Sequence, residues 1–149
     1  MKQLILGILL AGLFVFPAWA GEEWLTDFTK AKQEAAEKKL PILADFSGSD
    51  WCGWCIKLDK EVFSQKEFKA YAKDNVVLFL ADFPRLKEQP AELKKQNEQL
   101  SKEYAVSGFP TVLLLDAAGK VIARTGYRKG GAGAYVEHLK DLLKQPGNK

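Results

Sequence analysis

Apolar residues recur along this chain with two different periods, and their alternation predicts its elements. From Glu23 to Lys39 the apolar positions Trp24, Leu25, Phe28, Ala31 and Ala35 share one stripe, with lysine and glutamate around the rest. That is the spacing of an amphipathic helix, and Leu40-Pro41 ends it. Ile42 to Phe46 is a short, nearly continuous apolar run, the pattern of a strand buried on both faces. Asp45 alone interrupts it. After a polar loop, Ser47 to Asp50, the period returns to helical from Cys52 to about Phe63, carried by Ile56, Leu58 and Val62. Ser64 with Glu67 three residues on reads as a capping box opening a helix through Tyr71 and Ala72.

Val76 to Ala81 is a second buried-strand run. Pro84 to Pro90 reads as a connection, and Ala91 to Tyr104 as a highly charged helix with a narrow stripe of Leu93, Leu100 and Tyr104. Its charges describe a solvated helix face. Val112 to Asp116 and Lys120 to Thr125 flank a turn at Asp116–Gly119, the signature of an antiparallel hairpin. Gly130 to Gly133 reads as a linker, and Ala134 to Lys144 as the last helix. The order α, β, α, α, β, α, β, β, α predicts an α/β domain with a central mixed sheet of about four strands flanked by helices on both faces. No internal repeat or second core is evident, so residues 21–149 are expected to form one domain.

The first twenty residues stand apart. Lys2 precedes an apolar run from Leu4 to Phe16, Pro17 breaks it, and Ala18-Trp19-Ala20 offers small residues where a signal peptidase reads. Residues 1–20 are therefore expected to be a signal peptide cleaved near Ala20, leaving no stable membrane insertion. The alternative is a retained anchor, since Leu4 to Gly21 is uncharged and long enough to span. The formal net charge of +3 is small and interspersed, which argues against nucleic acid as a partner. The Gly-rich stretch at 130–133 fits no nucleotide-binding template.

Export changes the meaning of the 2 cysteines. Cys52 and Cys55 are three residues apart, close enough on one helical turn to join in a disulfide. So short a loop removes little entropy from the unfolded chain, so the expected value of the bond is chemical. Cys52 falls at a helix N-terminus, where unpaired N–H groups and the helix dipole favour a thiolate, drawing its pKa from ~8.5 toward ~7 or below. The alternatives are an inert local disulfide and half a zinc site. A structural zinc site needs four ligands. The single histidine, His138, lies on the last helix as a surface or packing residue, so no metal or other cofactor is expected beyond the Cys52–Cys55 pair itself. Asp45 on a buried strand is costly unless paired or protonated, so its pKa should be raised.

Asp45-Phe46, Trp51-Cys52-Gly53-Trp54-Cys55, Phe109-Pro110-Thr111 and Gly126, in that order, resemble the thioredoxin superfamily. The resemblance covers roughly Leu40 to Leu143. The wording from Gly48 to Cys55 is most similar to exported bacterial thioredoxin-like proteins and to the C-terminal thioredoxin-like domain of the membrane reductase that feeds electrons to the periplasm. Four departures stand out. Gly53-Trp54 replaces the Gly-Pro of thioredoxin, one extra residue lies between Asp45 and Cys52, the segment from Phe83 to Tyr104 is longer, and no short first strand is evident before Leu40.

The resemblance implies a thioredoxin-like fold and thiol–disulfide exchange with protein substrates, more in the direction of a reductase or isomerase than an oxidase. Cys52 becomes the nucleophile and Cys55 the resolving thiol, with Asp45 beneath it as proton acceptor. Pro110 becomes a cis-proline, with Phe109 pairing an extended substrate. Trp51, Gly53 and Trp54 complete the substrate-binding rim, Trp51 chiefly as a packing shield. A periplasmic or otherwise exported reductase needs recharging, with a membrane thiol reductant as the expected donor. The rival reading from a different class is a thioredoxin-fold binding or chaperone module in which redox chemistry is secondary.

Overall fold

The computed structural model describes residues 24–144. The leader, its cleavage site, the predicted helix start at Glu23 and the tail after Gln145 lie outside them. Four strands form one sheet in the order β2-β1-β3-β4. They are β1 (Ile42–Ser47), β2 (Val77–Asp82), β3 (Thr111–Leu115) and β4 (Val121–Thr125). β1 runs parallel to β2 and antiparallel to β3, and β3 pairs antiparallel with β4. The mixed sheet and terminal hairpin are as the apolar runs predict.

Alternation along β1 sorts the core into two layers. Ile42, Ala44 and Phe46 join Phe79, Leu113 and Leu115 on one face, under α1 (Phe28–Lys38) and α4 (Ala91–Glu103). Leu43 joins Leu78, Val112 and Leu114 on the other. That face is covered by α2 (Gly53–Leu58), α3 (Lys66–Asn75) and α5 (Gly131–Lys144), with Leu58, Phe68, Tyr135 and Leu139 buried against it. Fully burying each such side chain stabilises by about 1.5–3 kcal/mol. By the same alternation Asp45 and Ser47 face α2, which aims the strand's single carboxylate at the helix carrying the cysteines.

The structure corrects three boundaries. The first helix begins at Phe28, because Asp27 caps it by accepting the Lys30 N–H at 3.1 Å. Ahead of it, Leu25 forms a parallel bridge to β2, donating to Leu78 O at 2.9 Å and accepting from Leu80 N at 2.8 Å. A vestige of the first thioredoxin-like strand therefore exists where none was expected. Trp24 and Leu25 are apolar in either period, so the helical stripe had simply absorbed them.

The second correction is at Ser64. A π-helical turn, Asp59–Phe63, extends α2, and Ser64 N–H closes it onto Asp59 O at 2.8 Å. The Ser64 hydroxyl donates to the Asp59 carboxylate at 3.0 Å, so Ser64 ends one helix instead of capping the next. Third, α5 starts three residues before Ala134. Gly130 and Gly131 take left-handed φ values of +117° and +76°, and a Cβ on Gly130 would sit 2.8 Å from Ala134 Cβ. Only glycine makes that entry without strain.

Candidate active site

The loop after β1 delivers the chain to the cysteines through a tight turn. Cys52 N–H donates to Gly48 O at 2.8 Å. Gly48 is required here, since a Cβ at that position would lie 2.5 Å from the Trp51 indole. Cys52 is the N-cap of α2 and its sulfur accepts the Cys55 N–H at 3.3 Å. Cys52 and Cys55 are joined in a disulfide. Both are buried, Cys55 at 4% exposure slightly more than Cys52 at 7%. Gly53 is the first helical residue, exposed, with no atom near the place a Cβ would take.

Asp45 lies in a cavity of about 230 Å³ that it shares with Cys55, Ser47, Ser49 and Asp59. Its Oδ1 is buried without a hydrogen-bond partner. Burial, then the charges of Asp59 and Asp82, push its pKa up to about 8. Desolvation and like charge act in the same direction, both favouring the neutral acid. The direction is the one expected of a strand-buried carboxylate, and Asp45 lines the same cavity as Cys55.

Asp59 escaped the sequence reading. It sits four residues after Cys55, hence on the same helical face, and that spacing was the available signal. Asp50 and Asp82 also escaped it. Asp82 accepts from Ser49 N–H at 3.0 Å and Ser49 Oγ at 2.7 Å, tying the loop before the cysteines to the end of β2. Asp50 accepts from the backbone N–H groups of Arg85, Leu86 and Lys87 at 2.9, 2.9 and 3.1 Å. Desolvation works against ionising Asp50, yet these three bonds and Lys87 hold its pKa below the ordinary value.

The rim is aromatic. The Phe109–Pro110 peptide is cis. Phe109 is wedged between Trp51, edge-on at 6.0 Å, and Phe83 at 4.9 Å between ring centroids. Trp51 Nε1–H donates to Phe83 O at 2.7 Å, fixing the indole as the packing element predicted. Trp54 is 55% exposed, its ring 5.0 Å from Tyr127. Lys57 Nζ approaches both rings, at 5.2 and 5.4 Å. All eight predicted site residues thus fall at one end of the sheet. His138, on α5, contacts Thr125 at 2.9 Å and lies edge-on to Tyr135. Among the described residues no group of three or more His, Cys, Asp or Glu is arranged to hold a metal ion.

A disulfide at a helix N-cap, above a buried acid and beside a cis-proline, defines a thiol–disulfide oxidoreductase. The chain belongs to the thioredoxin-like domain family, whose match covers residues 28–141. It is similar to the disulfide bond reductase DsbH of Chlamydia pneumoniae, at 38% identity over 127 residues, 85% of this chain and 76% of that protein. A solved DsbH oxidoreductase superposes with a TM-score of 0.78 at 38% identity, covering 82% of this chain and 84% of that one. The thiol:disulfide interchange protein DsbD of Yersinia enterocolitica is 32% identical over 111 residues, 72% of this chain but 17% of DsbD.

Proposed function

We propose that this protein reduces disulfides of exported proteins, with Cys52 as nucleophile, Cys55 as resolving thiol and Asp45 as proton acceptor. The observation that carries the reading is the cavity lined by both Asp45, whose buried Oδ1 has no hydrogen-bond partner, and Cys55. In the reduced protein the Cys52 thiolate attacks a substrate disulfide, forms a Cys52–substrate bond and expels one substrate thiolate. Cys55 then passes its proton to Asp45 and attacks Cys52 Sγ. The Cys52–Cys55 bond forms and the second substrate thiolate leaves, so two electrons have moved to the substrate. Burial raises the Asp45 pKa to about 8, so Asp45 must first ionise, and its ionised fraction is then a base strong enough to take the Cys55 proton.

Trp51, Gly53, Trp54, Phe109 and Pro110 form the substrate rim. The open space at Gly53 and the exposed Trp54 support that role. The reductive direction is supported by the likeness to DsbH. Recharging requires a donor dithiol, and a membrane thiol reductant in the periplasm suits a chain whose residues 1–20 are a cleaved leader and whose residues 21–149 are the working domain. Among the described residues no helix is long and apolar enough to cross a membrane.

Insulin reduction by the dithiothreitol-recharged protein tests the activity. Cys52→Ser should abolish it, and Cys55→Ser should accumulate the mixed disulfide. Equilibration of the pair against glutathione tests direction. A potential near −120 mV, that of a strong oxidant, would overturn the reductive reading. Partner function surviving in a Cys52→Ser, Cys55→Ser double variant would favour the binding-module alternative.

A further inference from the structure

The segment after β2, longer than in thioredoxin, builds a wall beside Trp51, the residue before Cys52. Together with Trp51 and Phe109 it encloses a cleft of about 520 Å³. Asp50 gathers the N–H groups of residues 85–87, which holds this wall against the loop that carries Trp51. The Arg85 guanidinium then lies flat on the Trp51 indole, its central carbon 3.5 Å from the ring centroid. Stacking occupies the guanidinium face and leaves its N–H edge to the cleft. Among the described residues Arg85 makes no ion pair, whereas its neighbour Lys87 is committed to Asp82 at 3.2 Å. A cation held on the residue next to Cys52, with its donors unspent, is arranged for a carboxylate.

We propose that Arg85 is a specificity residue that docks an acidic side chain flanking the attacked cysteine of an extended protein substrate. The segment crosses the cleft beside Trp51, and its acid meets Arg85. Glu88 and Glu98 also line the cleft. They repel an acid placed beside them, which makes Arg85 the group that must hold it. Lys94, on the same wall, adds to the attraction at longer range. Because the backbone around Arg85 is already fixed, little ordering is needed on docking.

This inference rests on the reading of Cys52–Cys55 as a reductase site. The test uses the full chain, pre-reduced, and two disulfide-linked peptides that differ only in glutamate or glutamine next to the attacked cysteine. At low salt the wild type should favour the glutamate peptide in the second-order rate constant of reduction by about threefold to tenfold. Arg85→Gln should bring that ratio to about one, and Arg85→Glu should invert it, as expected of a removed and a reversed charge pair. In the wild type the ratio should also collapse at about 0.5 M salt, which screens the pair without any substitution. Equal reduction of both peptides by the wild type would overturn the docking role, as would a preference that persists in Arg85→Gln or in high salt. Reduction of neither peptide would instead overturn the reductase reading, and the docking role with it.

Discussion

Replacing Asp45 with asparagine isolates the cost of the buried carboxylate. The pKa of about 8, against an ordinary 3.8, means that the folded state holds a proton over a range where the unfolded chain has released it. Stability linked to this group is fully present below the unfolded value, falls as pH rises, and is lost once pH has passed the folded value. A tenfold change in proton affinity is worth about 1.4 kcal/mol, so the full loss is on the order of 6 kcal/mol. Between about pH 5 and pH 9 the wild type should lose about 4 kcal/mol through Asp45 alone. Asparagine is close to the neutral acid in shape and never ionises, so it removes this slope.

The measurement is urea unfolding of the oxidised protein across that range, wild type beside Asp45→Asn. The two should lie within about 1–2 kcal/mol of each other near pH 5, where asparagine replaces a protonated acid of similar size. Near pH 9 the variant should be the more stable, its midpoint higher by about 2 M urea for a slope of about 1–3 kcal/mol per molar. The same variant should be slow to resolve the mixed disulfide, because Cys55 has lost its proposed proton acceptor. Parallel stability curves for the two proteins would refute the reasoning. They would mean that the carboxylate ionises without penalty and that the cavity does not desolvate it.

Asp59→Asn should move the midpoint of that pH dependence downward, since the Asp59 charge raises the Asp45 pKa. Carbon-13 titration of the Asp45 carboxyl reads the shift, and an unmoved midpoint would remove Asp59 from the site. Gly48→Ala should displace the Trp51 ring that lies 2.5 Å from the added carbon, with a loss of about 1–3 kcal/mol and a changed tryptophan emission spectrum. Asp27→Ala removes the cap of α1 and should cost about 1 kcal/mol in denaturant unfolding.

What was legible in the sequence was whatever a local pattern encodes. The three apolar runs became β1, β2 and β3 because a strand buried on both faces has no room for a polar period. Cys52 could be put at a helix start because the pattern changes from strand to helix across Ser47–Asp50. Asp45 could be singled out because one carboxylate in such a run must either be neutralised or paired. The errors fell where two local signals competed. Trp24 and Leu25 satisfied a helical stripe, yet Asp27 offered the stronger cap, and Leu25 completed the outer edge of β2. Ser64 and Glu67 had capping-box spacing, but the π-helical turn had already claimed Ser64 for Asp59.

The surroundings of the cysteines were less legible because they are assembled from distant parts of the chain. Asp50 meets residues 85–87 and Ser49 meets Asp82 across more than thirty positions. No spacing rule links them, and each residue taken alone reads as an ordinary loop polar group. The fold brings them together because β1 and β2 are adjacent and parallel, so the loops leaving their C-terminal ends emerge side by side. The cysteines follow the first of these loops and Arg85 belongs to the second. Pairing of the strands therefore places the reactive disulfide and the wall of its cleft at the same end of the sheet. The chemistry is encoded in five consecutive residues, Trp51 to Cys55. The surroundings of those residues are encoded in the strand register, where Asp45 pairs with Leu80 and Ser47 with Asp82. A change in the segment after β2 can thus alter what docks beside Cys52 while the redox pair itself stays as it is.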